Sequence, residues 1–242
     1  MEVELPLLEG PEVEAWDLLF DLYKTHPTSW AVVGAQMVIL HAASHGVTRP
    51  VRTGDTDVLI DIRALNLRTV SAWLLEKDFD LEGISADGIG HRFVRGGVKI
   101  DLLSIDHTGE ASRTTVPPAR TIEVPGGRQA ISRTIEAHIH IGEAVEGLVP
   151  LPDWAGAILL KARAAVSVPE ERQKHARDLA LLLGLPVDLT KEVAKLSGAE
   201  RKRIREGFPL LTDDIWTGVS RSIDPRNGRI AMTMLASTPK AG

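Results

Sequence analysis

The stretch Thr53-Gly54-Asp55-Thr56-Asp57-Val58-Leu59-Ile60 decides how the chain is read. Two aspartates stand at i and i+2 where a glycine loop enters an apolar run. Side chains alternate across a strand, so Asp55 and Asp57 point to one face, with Cα atoms about 6.6 Å apart at ~3.3 Å per residue. Aspartate is depleted in strands, yet a third lies inside a second apolar run, Val98-Lys99-Ile100-Asp101-Leu102-Leu103. Upstream, Trp30-Ala31-Val32-Val33 leads into Gly34-Ala35-Gln36. This is a glycine corner before a helical segment, where unpaired N–H groups can receive phosphate.

Working outward, the pattern predicts an α+β fold: a small mixed sheet flanked by helices, followed by a C-terminal helical region. Glu12–Thr25 has helical spacing through Val13, Trp16, Leu19, Phe20 and Tyr23. Trp30–Val33 and Asp55–Ile62 read as strands, and Gln36–His45 and Leu65–Lys77 as helices. Arg92–Arg95 and Val98–Ser104 read as strands joined by Gly96-Gly97, a two-residue hairpin signal. Residues 112–150 read as short irregular strands broken by proline and glycine. Beyond Pro150-Leu151-Pro152 the texture turns helical, with Asp153 as the expected N-cap of Trp154–Val166. Further helices are expected at Pro169–Leu183, Leu189–Ser197 and Ala199–Phe208, and a short helix or a frayed end after Asp224. The expected domains are 1–150, an α/β core, and 151–242, a helical domain.

The chain has 242 residues, 43% of them hydrophobic and 25% charged, as in soluble globular proteins. It has no cysteine, which excludes disulfides and thiolate metal sites and points to a reducing, cytoplasmic setting. The acidic start Met1-Glu2-Val3-Glu4 does not read as a signal peptide. Within the longest stretch free of Asp, Glu, Lys and Arg, Thr25–Thr48, the segment Trp30–Val47 reads as a buried strand and helix, so no membrane association is expected. Residues 1–150 carry 13 Lys and Arg against 22 Asp and Glu, and residues 151–242 carry 15 against 11. The positive C-terminal part fits either an anionic partner or a solvated helix face.

Three carboxylates on neighbouring strands make a set of hard oxygen donors, as Mg²⁺ requires. Two such ions about 3.5–4 Å apart can activate a hydroxyl and stabilise a leaving pyrophosphate. Each element also has a plainer reading. A D-x-D at a loop–strand junction can serve as a turn device, and Gly34 can be punctuation between strand and helix. Lys161 can be a snorkelling side chain on an amphipathic helix, Arg52 a loop cap and His41 a satisfied core histidine. Asp61 shares the parity of Asp55 and Asp57 but reads as a strand-end residue.

In these residues the chain resembles the polymerase-β-like nucleotidyltransferase superfamily. The matching pattern is a strand ending in hG[G/S] (Val33-Gly34-Ala35), a Dh[D/E]h motif (Asp55-Thr56-Asp57-Val58) and a later carboxylate among apolar residues (Ile100-Asp101-Leu102). Within it the chain is most similar to AbiEii-type nucleotidyltransferases, the toxin halves of toxin–antitoxin pairs. That likeness lies in Gly34-Ala35-Gln36-Met37-Val38-Ile39-Leu40-His41, Arg52-Thr53-Gly54-Asp55, Lys161-Ala162-Arg163-Ala164 and Arg177-Asp178-Leu179. It departs from the pattern at Ala35, at Thr56 and at Ala180-Leu181-Leu182. The resemblance implies Asp55, Asp57 and Asp101 as catalytic and metal-binding residues for Mg²⁺ or Mn²⁺. It implies Gly34, Ala35, Arg52, Thr53, Lys161 and Asp178 around a bound NTP, with NMP passing to an acceptor hydroxyl. RNA is the acceptor the family's toxins suggest, with a protein or small-molecule acceptor equally open, and an antitoxin protein is the implied partner. Two alternatives stand beside this: a weakly active or inactive relative that binds nucleotide or a protein partner, and a metal-dependent hydrolase or nuclease using the same aspartates.

Overall fold

The computed structural model describes residues 1–47 and 54–237. By its own contacts the chain forms two compact units, one of Met1–Met37 and Val51–Pro152, the other of Val38–Pro50 and Asp153–Gly242. The architecture is α+β, with mixed sheets and helices followed by a helical C-terminal region.

In chain order the elements are β1 (Glu2–Leu5), α1 (Pro11–Thr25), β2 (Trp30–Val32), α2 (Gly34–Ala43), β3 (Asp55–Ile60) and α3 (Leu67–Glu76). Then come β4 (Asp80–Leu81), β5 (Arg92–Arg95), β6 (Val98–Ile105), β7 (Glu123–Val124), α4 (Gly127–Ile131), β8 (Thr134–Ile141) and β9 (Val145–Pro152). The larger sheet has the order β2-β3-β6-β5-β4, with β7 joining β6 near its end. β3 and β6 run parallel at its centre; β2 flanks β3 and β5 flanks β6, both antiparallel. Trp16, Trp30, Met37, Phe79 and Phe93 are fully buried in this unit. Each such large side chain removed from water contributes ~1.5–3 kcal/mol.

The second sheet was not foreseen in the sequence. In place of irregular strands, β8 and β9 form an eight-residue antiparallel ladder running from Thr134↔Pro152 to Ile141↔Val145. β1 adds to it in parallel. The prolines read as breaks, Pro117, Pro118 and Pro125, all precede β8, while Pro150 and Pro152 lie near the end of β9, the last strand in this sheet, consistent with proline's confinement to edges.

The second unit holds α5 (Trp154–Ser167), α6 (Arg172–Gly184), α7 (Leu189–Ala194), α8 (Gly198–Arg205), α9 (Asp213–Val219) and α10 (Pro225–Ala236). Asp153 caps α5 as expected, accepting from the Gly156 N–H at 2.8 Å. Ser197 and Glu200 close a capping box on α8, each side chain bonding the other's backbone N–H. Trp154 is buried and donates its indole N–H to the Leu182 carbonyl at 2.7 Å, tying α5 to α6. The stretch after Asp224 is a twelve-residue helix that packs on α6, because Ala231 and Leu235 give it a buried stripe. None of the described helices is long and apolar enough to cross a membrane.

Candidate active site

β3 ends its loop at Gly54 and buries alternate residues: Thr56 and Val58 are buried while Asp55 and Asp57 face the other side, half-buried. In the parallel β3–β6 ladder Asp57 stands opposite Asp101, and Asp55 opposite Lys99. Residues opposite each other in a ladder share a face, so all three aspartates lie on one side of the sheet.

The glycine corner meets the same spot. Gly34 opens α2 with φ +64°, a conformation that glycine adopts without penalty. A Cβ placed on it would lie 1.6 Å from Asp57 Oδ2. Only a residue without a side chain lets this carboxylate rest against the first turn of α2. The Val33 N–H bonds the Asp57 carbonyl at 2.9 Å, extending the β2–β3 pairing to the corner. Ala35 follows, buried.

One further residue completes the constellation. Arg92 on β5 stands opposite Asp101 across the β5–β6 hairpin. Its Nε donates to Asp101 Oδ1 and its Nη2 to Asp101 Oδ2, both at 2.8 Å. The same Nη2 donates to Asp55 Oδ2 at 3.2 Å, and Glu82 lies 3.7 Å from Nε. Such a two-pronged grip is the strong form of an arginine–carboxylate pair. The Asp101 carboxylate holds the Arg92 guanidinium above the ordinary arginine range, with the Asp55 and Glu82 charges adding to the effect. An open cavity of about 450 Å³ lies beside Arg92, lined by Glu82, Ile84, Ser85 and His91 among others.

This arrangement bears directly on a cation. Three carboxylates on one face, against a glycine that leaves room for them, are the donor type a hard divalent ion takes. Asp101 is nonetheless turned to Arg92. The donors fit the ion in kind, and Arg92 supplies the positive charge in this conformation.

Arg52 and Thr53 lie outside the described residues. Lys161 and Asp178 belong to the helical unit, where Lys161 Nζ lies 2.9 Å from Asp178 Oδ2 and each side chain is only 4% exposed. Their neighbour His175 is pushed down to about pKa 4, chiefly by burial and then by the Lys161 charge. Among the basic residues of the helical unit, Lys195 lies 2.8 Å from Glu192 and 3.6 Å from Asp153. Arg201 on α8 donates to the Val193 and Leu196 carbonyls, and Arg205 to the Ala236 carbonyl at 3.5 Å. These three cations thus tie neighbouring segments of that unit together. His41 is buried, at 2% exposure. Asp61 accepts from Arg63 through both carboxylate oxygens, as a strand-end residue would.

The reading of the sequence passed over Arg92, although a signal was present. A two-residue turn at Gly96-Gly97 makes Arg95 face Val98, and counting back by pairs makes Arg92 face Asp101. No family model matches the chain, and a search of curated proteins finds no match. Among solved structures, the chain is similar to the antibiotic-resistance factor ANT(2'')-Ia in solution, at 14% identity over 87% of this chain and 95% of that one, with TM-score 0.42. It is also similar to ANT(2'')-Ia in complex with adenylyl-2''-tobramycin, at 16% identity over 80% of this chain and 99% of that one, with TM-score 0.45. At this degree of likeness, the chemistry rests on the site itself.

Proposed function

We propose that the chain is a divalent-cation-dependent nucleotidyltransferase, acting in the cytoplasm, that moves NMP from an NTP to an acceptor hydroxyl. The observation that carries this reading is the convergence of Asp57, in register with Asp101, on the helix-opening Gly34. On this reading the helix start receives phosphate beside carboxylates that hold a cation. Asp55 and Asp57 are the residues to hold Mg²⁺ or Mn²⁺, joined by Asp101 when Arg92 releases it. When bound, the cation offsets charge on the phosphates and on the departing pyrophosphate. Gly34 and Ala35 present the first N–H groups of α2 to the triphosphate, and Asp101 is the group to take the proton of the acceptor hydroxyl. In the reaction the acceptor oxygen bonds to the α-phosphorus and the bond to pyrophosphate breaks. RNA is the proposed acceptor and an antitoxin protein the proposed partner, following the sequence resemblance. The rival acceptor is a small hydroxylated molecule, for which the tobramycin of the ANT(2'')-Ia complex serves as the probe.

The test is incubation with each α-labelled NTP, Mg²⁺ and either total RNA or tobramycin. Label should appear on one acceptor with the wild-type chain and on none with Asp57→Ala, whose fold is checked by circular dichroism. Transfer undiminished in Asp57→Ala would sink the assignment.

Arg92 favours a second reading: a nucleotide-binding relative with little turnover, in which the guanidinium stands where a cation would otherwise neutralise Asp101. Calorimetry with NTP and Mg²⁺ separates the two. Binding without pyrophosphate release supports the second reading.

A further inference from the structure

Away from the aspartates, on the other sheet of the same unit, Glu2, His138 and His140 bring one ligand atom each to within 4.8 Å of one another. The register is the cause. β1 pairs with β8 so that Glu2 faces His138, and β8 pairs with β9 so that His140 faces Glu146. His138 and His140 are two residues apart on one strand and so share a face, with ring centroids 4.3 Å apart. Glu2 Oε2 lies 3.3 Å from His138 Nδ1 and 3.1 Å from His140 Nε2. Glu146 Oε2 lies 3.8 Å from His138 Nε2 and 3.4 Å from His140 Nδ1. Each glutamate thus addresses a different nitrogen of each ring.

We infer that Glu2, His138 and His140 form a binding site for a divalent transition-metal ion of the Zn²⁺ class, with Glu146 orienting both imidazoles. Zinc bonds imidazole nitrogen and carboxylate oxygen at about 2.0–2.2 Å. Ligands at the corners of a tetrahedron around it are then about 3.4 Å apart, close to the 3.1 and 3.3 Å found between Glu2 and the two rings. A metal-bound histidine normally directs its other ring nitrogen to a carboxylate, and Glu146 stands on that side of both rings. Two imidazoles with one carboxylate suit zinc or cobalt and are a poor set for Mg²⁺, which prefers oxygen alone. Three protein ligands leave a fourth position open. The site faces solvent, since the Glu2 side chain is 72% exposed. The competing account is plain ion pairing between the glutamates and protonated histidines.

The two accounts part under titration of the full chain, freed of metal with a chelator, with Co²⁺ followed by visible absorption and Zn²⁺ followed by calorimetry. One equivalent of Co²⁺ with a ligand-field band, displaced by Zn²⁺ and not by equimolar Mg²⁺, is expected. His140→Gln should weaken Zn²⁺ binding at least tenfold, and Glu146→Gln by about 10–100-fold. Asp57→Ala should leave it unchanged, which keeps this site distinct from the proposed catalytic one. If His140→Gln misfolds by circular dichroism, Glu2→Gln replaces it, because its exposed side chain is not needed for packing. No ion uptake, uptake unaffected by the Glu2 or His140 variant, or displacement by Mg²⁺ overturns the inference.

Discussion

Arg92 grips Asp101 through two parallel hydrogen bonds across a hairpin turned by Gly96 and Gly97. Asp101 is 5% exposed, so its charge depends on that partner. Arg92→Ala leaves a buried carboxylate short of donors and should lower stability by about 1–3 kcal/mol. Added Mg²⁺ should recover part of the loss, raising the variant's unfolding midpoint more than that of the wild type. Equal Mg²⁺ shifts in urea unfolding of both proteins would show that guanidinium and cation do not share Asp101.

Gly34 is expected to be intolerant of a side chain. Gly34→Ala forces alanine into φ +64°, at roughly 1–2 kcal/mol, and drives its methyl group into Asp57 Oδ2. Combining it with Asp57→Ala removes the contacts with Oδ2 and Cγ and leaves the backbone term with a 2.9 Å approach to the Cβ of residue 57. A double-mutant cycle by chemical denaturation should therefore show coupling of about 0.5–3 kcal/mol. Strict additivity would mean that the corner and the carboxylate do not touch.

Lys161 and Asp178 form a buried pair in the helical unit. Lys161→Met should cost about 3–5 kcal/mol by removing the cation beside buried Asp178, and Lys161→Met with Asp178→Leu should recover much of the loss. Thermal unfolding measures both. A Lys161→Met protein of normal stability that fails to bind NTP would instead give this lysine the phosphate-contacting role that the resemblance implies.

His175 carries a pH signature. Its folded pKa, about 4, lies below the ordinary value of 6.5 because the imidazole is buried and close to Lys161. Between these values the unfolded chain takes up a proton that the folded chain refuses. Stability should fall as pH drops from about 6.5 toward 4 and change no further on this account below that. His175→Gln should flatten that part of the curve of unfolding free energy against pH. An unchanged slope would assign the acid sensitivity to other groups.

The large sheet and the candidate site on it were legible because their signals are local. The D-x-D parity, the apolar run around Asp101 and the Gly96-Gly97 turn each constrain only a few neighbouring residues. Where the signal was weak, the reading failed. β9 contains Gly147, Pro150 and Pro152, breakers in most strands, and is stable because its antiparallel partner β8 pairs with it over eight residues. β1 holds four residues and takes its place only by pairing with β8, more than a hundred residues away.

The order of residues by itself determined that three aspartates would lie on strands beside a glycine corner, since strand parity and backbone preference act between near neighbours. Tertiary structure decided what the other charges would meet. The hairpin count already sets Arg92 against Asp101, but Lys161 reached Asp178 through helix packing, and Glu2 reached two histidines through strand register between distant segments. The energy of a charge depends on the groups within a few ångströms of it in space, and a linear chain does not specify those until it has folded.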